Sequence, residues 1–268
     1  DDGRIEPAAE PGHYAVVGGG PAGLEAATVL AERGHDVDLY EPEALGGAFR
    51  WAPLPPGKDS LRKGIDYFET VLDAAANVAV IRQEATEQDL AGYDGAILAT
   101  GSEPLVPPIE GLDAVEYWGA EILAAENLPS EERVLIAGGG FVGLEVADAL
   151  AAADNEVVVV EMLPEVGGNM LSLERGPLLS KLRAEESVSI VTAATLERVE
   201  PDRATASRDG EELTWTDLDR YVLATGVQSF DPLEPDAIPV PTETVGDAAE
   251  PGRFEDAVAS AFEAARRL

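Results

Sequence analysis

The sequence predicts an α/β chain built from two successive strand–helix–strand units, each contributing a parallel sheet. Three observations predict it. The first is that the chain repeats itself. Residues 14–27 read YAVVGGGPAGLEAA, and residues 134–147 read VLIAGGGFVGLEVA. Gly18, Gly20 and Gly23 recur as Gly138, Gly140 and Gly143, with Leu-Glu after the third glycine each time. Glu41 then closes the apolar run VDLYE, Glu161 closes VVVVE, and ILATG at 97–101 returns as VLATG at 222–226. The second is an alternation of strand-sized apolar runs with Ala/Leu-rich stretches, the pattern of parallel sheets carrying helices on both faces. The third is size: 268 residues, 45% hydrophobic and 26% charged, suffice for one large or two small domains with a packed core.

The elements follow in order. Tyr14–Val17 is a short buried strand, and Pro21 suits the first position of the next helix, where its missing N–H costs nothing. Gly34 ends that helix, and a second strand covers Val37–Tyr40. Ser60–Ala75 reads as a helix, and Val78–Ile81 and Gly95–Leu98 read as strands. In the second copy Val134–Ala137 and Val157–Val160 are strands, with Asp154-Asn155 turning between them. Arg175–Ala184 is a helix, Val188–Val191 and Tyr221–Leu223 are strands, and 194–216 is β-rich. Proline clusters at 53–56, 104–108 and 232–241 mark loops and crossovers, and Phe254–Leu268 is an amphipathic tail helix.

Composition excludes several chemistries. With no cysteine, this chain alone builds no disulfide, thiolate nucleophile, iron–sulfur cluster or Cys-ligated zinc. His13 and His35 are too few for a His-rich metal site, and both read as plain turn or strand-edge residues. The chemistry is therefore expected from a bound cofactor. The balance of 52 Asp plus Glu against 18 Lys plus Arg, a net charge of −34, opposes binding to nucleic acid or an anionic membrane. Only Lys58, Lys63 and Lys181 are lysines, so the surface reads as adapted to salt, where a Debye length of ~3 Å at ~1 M quenches self-repulsion. No apolar run approaches the ~18 residues that cross a bilayer, and DDGRIEPAAEPG lacks a signal-peptide pattern. The expected location is the cytoplasm.

The glycines carry the functional reading. A lone GxGxxG is weak, but here each copy follows a strand, opens a helix and meets an acidic residue at the end of the next strand. That is the context of a dinucleotide fingerprint, and the units are therefore expected to be Rossmann-like dinucleotide-binding domains. Gly18 and Gly138 allow the tight turn. Gly20 and Gly140 let the backbone approach a pyrophosphate, and Gly23 and Gly143 bring helix and strand close. Pro21, Ala22, Phe141 and Val142 lie at the helix mouths, where free N–H groups and the positive dipole end face the diphosphate. Glu41 and Glu161 would accept hydrogen bonds from ribose hydroxyls, although either one alone could be a solvated strand end. With no arginine beside Glu161 for a 2′-phosphate, NADH is favoured over NADPH.

In these residues the chain resembles the two-dinucleotide-binding flavoproteins. More narrowly, it resembles the carboxy-terminal half of the old yellow enzyme-like reductases that include 2,4-dienoyl-CoA reductase and trimethylamine dehydrogenase. The matching stretches are VVGGGPAGLEAATVLAERGHDVDLYE, LGGAFRWAPLPPGK, DLAGYDGAILATGSEP, GGGFVGLEVADAL, VVEMLPEVGG, YVLATGV and GDAAEPGRFEDAVASAFEAAR. They span about residues 12–268. The resemblance implies FAD in the first unit and a nicotinamide dinucleotide in the second. It implies a discontinuous FAD domain of 1–104 and 227–268, with the nicotinamide domain, 105–226, inserted into it.

Residue by residue, the resemblance sets Gly246 and Asp247 against the flavin ribityl chain, and Gly47, Ala48 and on through Lys58 along the flavin and diphosphate. It sets Ala85 at the adenine and Thr100, Gly101 and Gly226 at the ATG turns, among the cofactor contacts. Glu145 falls near the nicotinamide amide, and Phe141 matches a residue that covers the flavin face. Ala48 departs from the Gln usual in relatives and removes one polar contact, while Asn155 and Glu186 replace glycines common at those turns. Relatives place a flavin-bearing barrel and a cysteine cluster upstream, so the chain is expected to be a fragment of such an enzyme or a free-standing module.

The resulting expectation is an FAD-dependent NADH oxidoreductase or electron-transfer module with no protein acid or base. Its electrons would pass to a partner domain or protein carrying FMN or an iron–sulfur cluster. The alternative is a non-catalytic scaffold holding ADP or an inert FAD, a reading that the absence of Gln at Ala48 favours.

Overall fold

In the computed structural model, which describes residues 5–234 and 237–268, the chain divides by its contacts into two units. The first runs to Ala52 and resumes over Ser60–Glu103 and Val227–Leu268; the second is Pro53–Asp59 with Pro104–Gly226. Residues 53–59, which the sequence reading keeps with the first unit, thus pack with the second, where Leu54 meets the hydrophobic core.

Strand β1 (His13–Val17) leads into helix α1 (Pro21–Glu32), then β2 (Asp36–Tyr40), α2 (Arg62–Ala74), β3 (Val78–Ile81), β4 (Gly95–Leu98) and the short β5 (Ser102–Pro104). The second unit supplies β6 (Tyr117–Trp118), β7 (Arg133–Ala137), α3 (Phe141–Ala152), β8 (Glu156–Val160), α4 (Ser172–Ala184) and β9 (Val188–Val191). It continues with β10 (Thr195–Glu200), β11 (Arg203–Arg208), β12 (Glu211–Thr216) and β13 (Arg220–Leu223). The chain ends through β14 (Val227–Ser229), β15 (Thr242–Thr244) and α5 (Phe254–Ala265). Of the expected 232–241 loop, residues 235–236 lie outside the described residues.

The first unit is a five-stranded parallel sheet in the order β15-β4-β1-β2-β3, and the second repeats it as β6-β13-β7-β8-β9. The strands are apolar on both faces, as a sheet covered on both sides requires. Period-two alternation sends Val16, Leu39 and Ile97 to the core under α1, α2 and α5, and Ala15, Val17, Ala96 and Leu98 to the opposite core. In the second unit Ile136, Val157 and Val159 pack under α3 and α4, while Leu135, Val158 and Val160 face the other way.

One expectation is corrected here: the helices do not lie on both faces of either sheet. Successive right-handed crossovers β1–β2–β3 all step in one direction, so α1 and α2 fall on the same side, and β7–β8–β9 does the same with α3 and α4. A helix on the opposite face would need a crossover stepping back. In the first unit that return to β4 is made by loop, capped by Leu90, Leu233 and Ile238. In the second it is the antiparallel sheet β10-β11-β12, whose Val199, Ala204 and Ala206 close the core.

Helix boundaries also shift, α2 covering Arg62–Ala74 rather than Ser60–Ala75. Helix α4 begins at Ser172 rather than Arg175, with Pro177 inside it. Proline leaves the Leu173 carbonyl without its helical partner, which is tolerable because Leu173 is 91% exposed and the carbonyl can be hydrated. The tail helix stops at Ala265.

Candidate functional site

The first glycine turn shows which glycines are obligatory. Gly18 has φ +104°, and a Cβ there would stand 2.2 Å from the Ala99 carbonyl oxygen. A Cβ on Gly23 would fall 1.8 Å from the Gly18 carbonyl oxygen, so α1 can approach β1 only without a side chain. Gly20 differs: a Cβ there would meet nothing within 4 Å. This glycine relieves no internal clash. It keeps clear the mouth of α1, whose first-turn N–H groups have no intrahelical partner.

Around that mouth the structure gathers residues from distant stretches. The Gly19 N–H donates to Glu41 Oε2 at 2.8 Å and the Glu43 N–H to Glu41 Oε1 at 2.8 Å, which latches the carboxylate against the turn. The Gly46 N–H donates to the Gly19 carbonyl, and Gly47 lies so close that a Cβ would be 3.0 Å from Gly20 Cα. A Cβ on Gly246 would come 2.7 Å from that of Ala22. Asp247 accepts from the Ser102 hydroxyl and the Gly252 N–H, both at 3.0 Å. Thr100 and Gly101 follow Ala99 and hold Phe230 by its carbonyl and its N–H. Ala48 is exposed, and Ala85 packs with Tyr40 and Tyr93 on the face away from α1.

The second turn repeats this contact by contact. Gly138 has φ +106°, its Cβ would be 2.3 Å from the Ala224 oxygen, and a Cβ on Gly143 would be 2.1 Å from the Gly138 oxygen. The Gly139 N–H donates to Glu161 Oε2 at 2.7 Å and the Leu163 N–H to Glu161 Oε1 at 2.8 Å; Glu161 is 8% exposed. Val142 is exposed at the helix mouth, and Gly226, after the second ATG turn, has φ +106° and accepts from the Leu105 N–H.

Three residues that the sequence assigned to separate roles meet here. Lys58 forms an ion pair with Glu145, one turn into α3, and its ammonium lies 4.4 Å from the Phe141 ring centroid. Burial pushes the Glu145 carboxyl above the ordinary carboxylate range, against the opposing pull of Lys58. Beyond them, a groove of about 620 Å³ opens beside the loop after Glu161, lined by Glu165, Arg175, Arg183, Ile190 and Thr192 among others. Arg175, distant in sequence from Glu161, is held there by Glu165 and the Val166 carbonyl.

Sequence reasoning missed several contacts. Asn169 accepts from the Phe141 N–H at 2.9 Å, and Asp148 on α3 pairs with Lys181 on α4. The available signal was the echo of Leu45-Gly46-Gly47 in Val166-Gly167-Gly168, which marks the residue after each pair as a mouth position. His35 lies in the turn between α1 and β2 with its side chain fully buried, and Trp118 and Trp215 pack on the second unit's cores. Among the described residues, no group of three His, Cys, Asp or Glu is placed to hold a metal, and no helix is long and apolar enough to cross a membrane.

In chemical terms, each turn presents a helix mouth of backbone donors beside a strand-end carboxylate, the elements of a dinucleotide fingerprint, and at the second the Asn169 amide oxygen caps the mouth. The sequence model of the pyridine nucleotide-disulphide oxidoreductases matches residues 12–247. The chain belongs to this family. It is 33% identical over 267 residues to an NADH oxidase of Thermoanaerobacter brockii, covering 94% of this chain and 40% of that protein. It is 34% identical over 233 residues to a bilirubin reductase of Mediterraneibacter gnavus, covering 84% of this chain and 35% of that one. Among solved structures, 2-naphthoyl-CoA reductase with 2-naphthoyl-CoA superposes with a TM-score of 0.88 at 25% identity, over 99% of this chain and 41% of that one. The 6-hydroxypseudooxynicotine amine oxidase of Pseudomonas geniculata superposes at 0.85 and 26% identity, over 99% and 43%. The chain thus spans about two fifths of the length of these family relatives.

Proposed function

We propose that the chain is an FAD- and NADH-binding oxidoreductase module that takes electrons from NADH and delivers them to a redox partner. The observation that carries this reading is the duplicated cradle: two glycine turns, each opening a helix and each latched to a strand-end carboxylate. The first cradle is assigned to FAD, because Gly47, Gly246 and Asp247 converge beside it, and the second to the nicotinamide dinucleotide. FAD bound in the first cradle would supply a two-electron hydride acceptor, and a reduced nicotinamide in the second would supply the hydride.

The chain's own residues bind and orient. Backbone donors at the two mouths would hold the diphosphates, and Glu41 and Glu161 keep lone pairs for ribose hydroxyls beyond those taken by backbone N–H groups. NADH is preferred over NADPH because Met162 and Leu163 follow Glu161 and Arg175 is engaged by Glu165. The onward acceptor is a domain or protein carrying FMN or an iron–sulfur cluster. This chain has no thiol to take the electrons, and it spans only part of its relatives. The charge of −34 suits a cytoplasm rich in salt.

Stoichiometry tests the reading. One FAD should remain with each chain through gel filtration, and calorimetry should then find one NADH site per flavin-loaded chain. A colourless chain that takes up only ADP would make it a scaffold instead.

A further inference from the structure

The two cradles match at the backbone and differ at the mouth. Both helices open from a glycine in the same extended conformation, Gly20 and Gly140. In both, the next loop folds back the same way: the Gly46 N–H donates to the Gly19 carbonyl, and the Gly167 N–H to the Gly139 carbonyl. Leu45 fills the space over Gly19 as Val166 does over Gly139. The residue that follows each Gly-Gly pair is therefore structurally equivalent, and it is Ala48 in one case and Asn169 in the other.

This equivalence has a chemical consequence. At the first mouth Ala48 has no polar group, and Pro21 has no N–H to be capped. At the second, Asn169 Oδ1 accepts the Phe141 N–H at 2.9 Å, and a Cβ on Gly140 would stand 3.5 Å from that same oxygen. The amide oxygen thus sits where a diphosphate oxygen would meet the helix. We infer that Asn169 is a displaceable cap of the second cradle: it satisfies the α3 mouth until the diphosphate of the nicotinamide dinucleotide replaces it, and so limits how tightly that dinucleotide is held. The inference rests on the reading of the second cradle as the nicotinamide site.

Displacement is favourable because a charged phosphate oxygen accepts a stronger hydrogen bond than a neutral amide, at the positive end of the helix dipole. Each binding event nevertheless forfeits the cap, worth about fivefold in affinity. The first mouth has no such competitor. This asymmetry suits a resident cofactor in one cradle and an exchanging co-substrate in the other.

The test uses the FAD-loaded full chain with ADP-ribose as the probe, measured by calorimetry and stopped-flow dissociation. Asn169→Ala should lower the melting temperature without nucleotide, tighten ADP-ribose about fivefold and slow its release, with FAD content unchanged. Asn169→Asp, which fixes a negative charge at the mouth, should weaken binding tenfold or more, on the order expected for an anion pushed off its donors. Asn169→Ser, too short to reach the Phe141 N–H, should behave like Asn169→Ala and serves in its place if that variant does not fold. Unchanged or weaker ADP-ribose binding in the Ala and Ser variants overturns the cap. A wild-type chain that retains FAD but binds no ADP-ribose overturns the nicotinamide assignment itself.

Discussion

The Lys58 ammonium pairs with the Glu145 carboxylate, and both side chains are mostly buried, at 28% and 13% exposure. Burial raises the Glu145 pKa, and the Lys58 ammonium opposes that rise by favouring the carboxylate. Lys58→Met leaves that charge uncompensated and should cost about 3 kcal/mol, near the lower end for a broken buried pair. A raised folded pKa means that ionising Glu145 costs stability as pH rises, so the deficit of Lys58→Met relative to wild type should shrink as pH falls through the carboxylate range. Adding Glu145→Gln should recover most of it. Urea midpoints across pH for the single and double variants measure this; equal losses in both backgrounds would contradict the coupling.

His35 provides a second pH signature. The Gly12 N–H donates to its Nδ1 at 2.9 Å, Tyr14 packs edge-on against its ring, and burial, helped by Arg33, lowers its pKa although Asp94 pulls the other way. The folded chain thus holds His35 neutral, while the unfolded chain protonates it near the ordinary value of about 6.5. A depressed folded pKa contributes stability that is present above that value and declines as pH falls below it. The urea midpoint should therefore fall between about pH 7.5 and about pH 5.5, and His35→Asn, which keeps an acceptor for Gly12, should flatten that slope. A wild-type midpoint that is level across this interval would rule the effect out.

Glu161 tests the dinucleotide assignment. It is latched by the Gly139 and Leu163 N–H groups, so its position is set by the turn itself. Glu161→Arg removes the ribose acceptor and supplies a partner for a 2′-phosphate. The ratio of kcat/KM for NADH to that for NADPH should fall tenfold or more, roughly the worth of one charge-assisted hydrogen bond. An unchanged ratio would show that Glu161 does not meet the ribose.

The charge of −34 predicts that salt stabilises the fold. Screening of carboxylate repulsion should raise the melting temperature from dilute buffer to about 1 M potassium chloride. A temperature independent of salt would remove the adaptation reading.

The parts of this molecule legible in its sequence are those fixed by local chemistry. Gly18, Gly23, Gly138 and Gly143 have no alternative, since a Cβ at any of them would overlap a carbonyl oxygen. Hence β1-α1-β2 and β7-α3-β8 could be read directly, as could strands such as Val78–Ile81 from their apolar runs. What could not be read depends on long-range packing. The antiparallel cover over Leu135 and Val158 follows from crossover direction, which needs the strand order first. The pairing of Lys58 with Glu145 and the burial of His35 beside Gly12 join residues far apart in the chain with no periodicity to mark them, and for Asn169 the repeated Gly-Gly pair marks the position but not its reach to Phe141.

The central claim, that one cradle holds a flavin and the other a nicotinamide donor able to reduce it, is tested most directly by an anaerobic absorption spectrum of the purified FAD-reconstituted chain. The account predicts a yellow protein whose visible flavin band bleaches with one equivalent of NADH. A flavin band that survives NADH unchanged, or a chain that takes up no flavin, would contradict it.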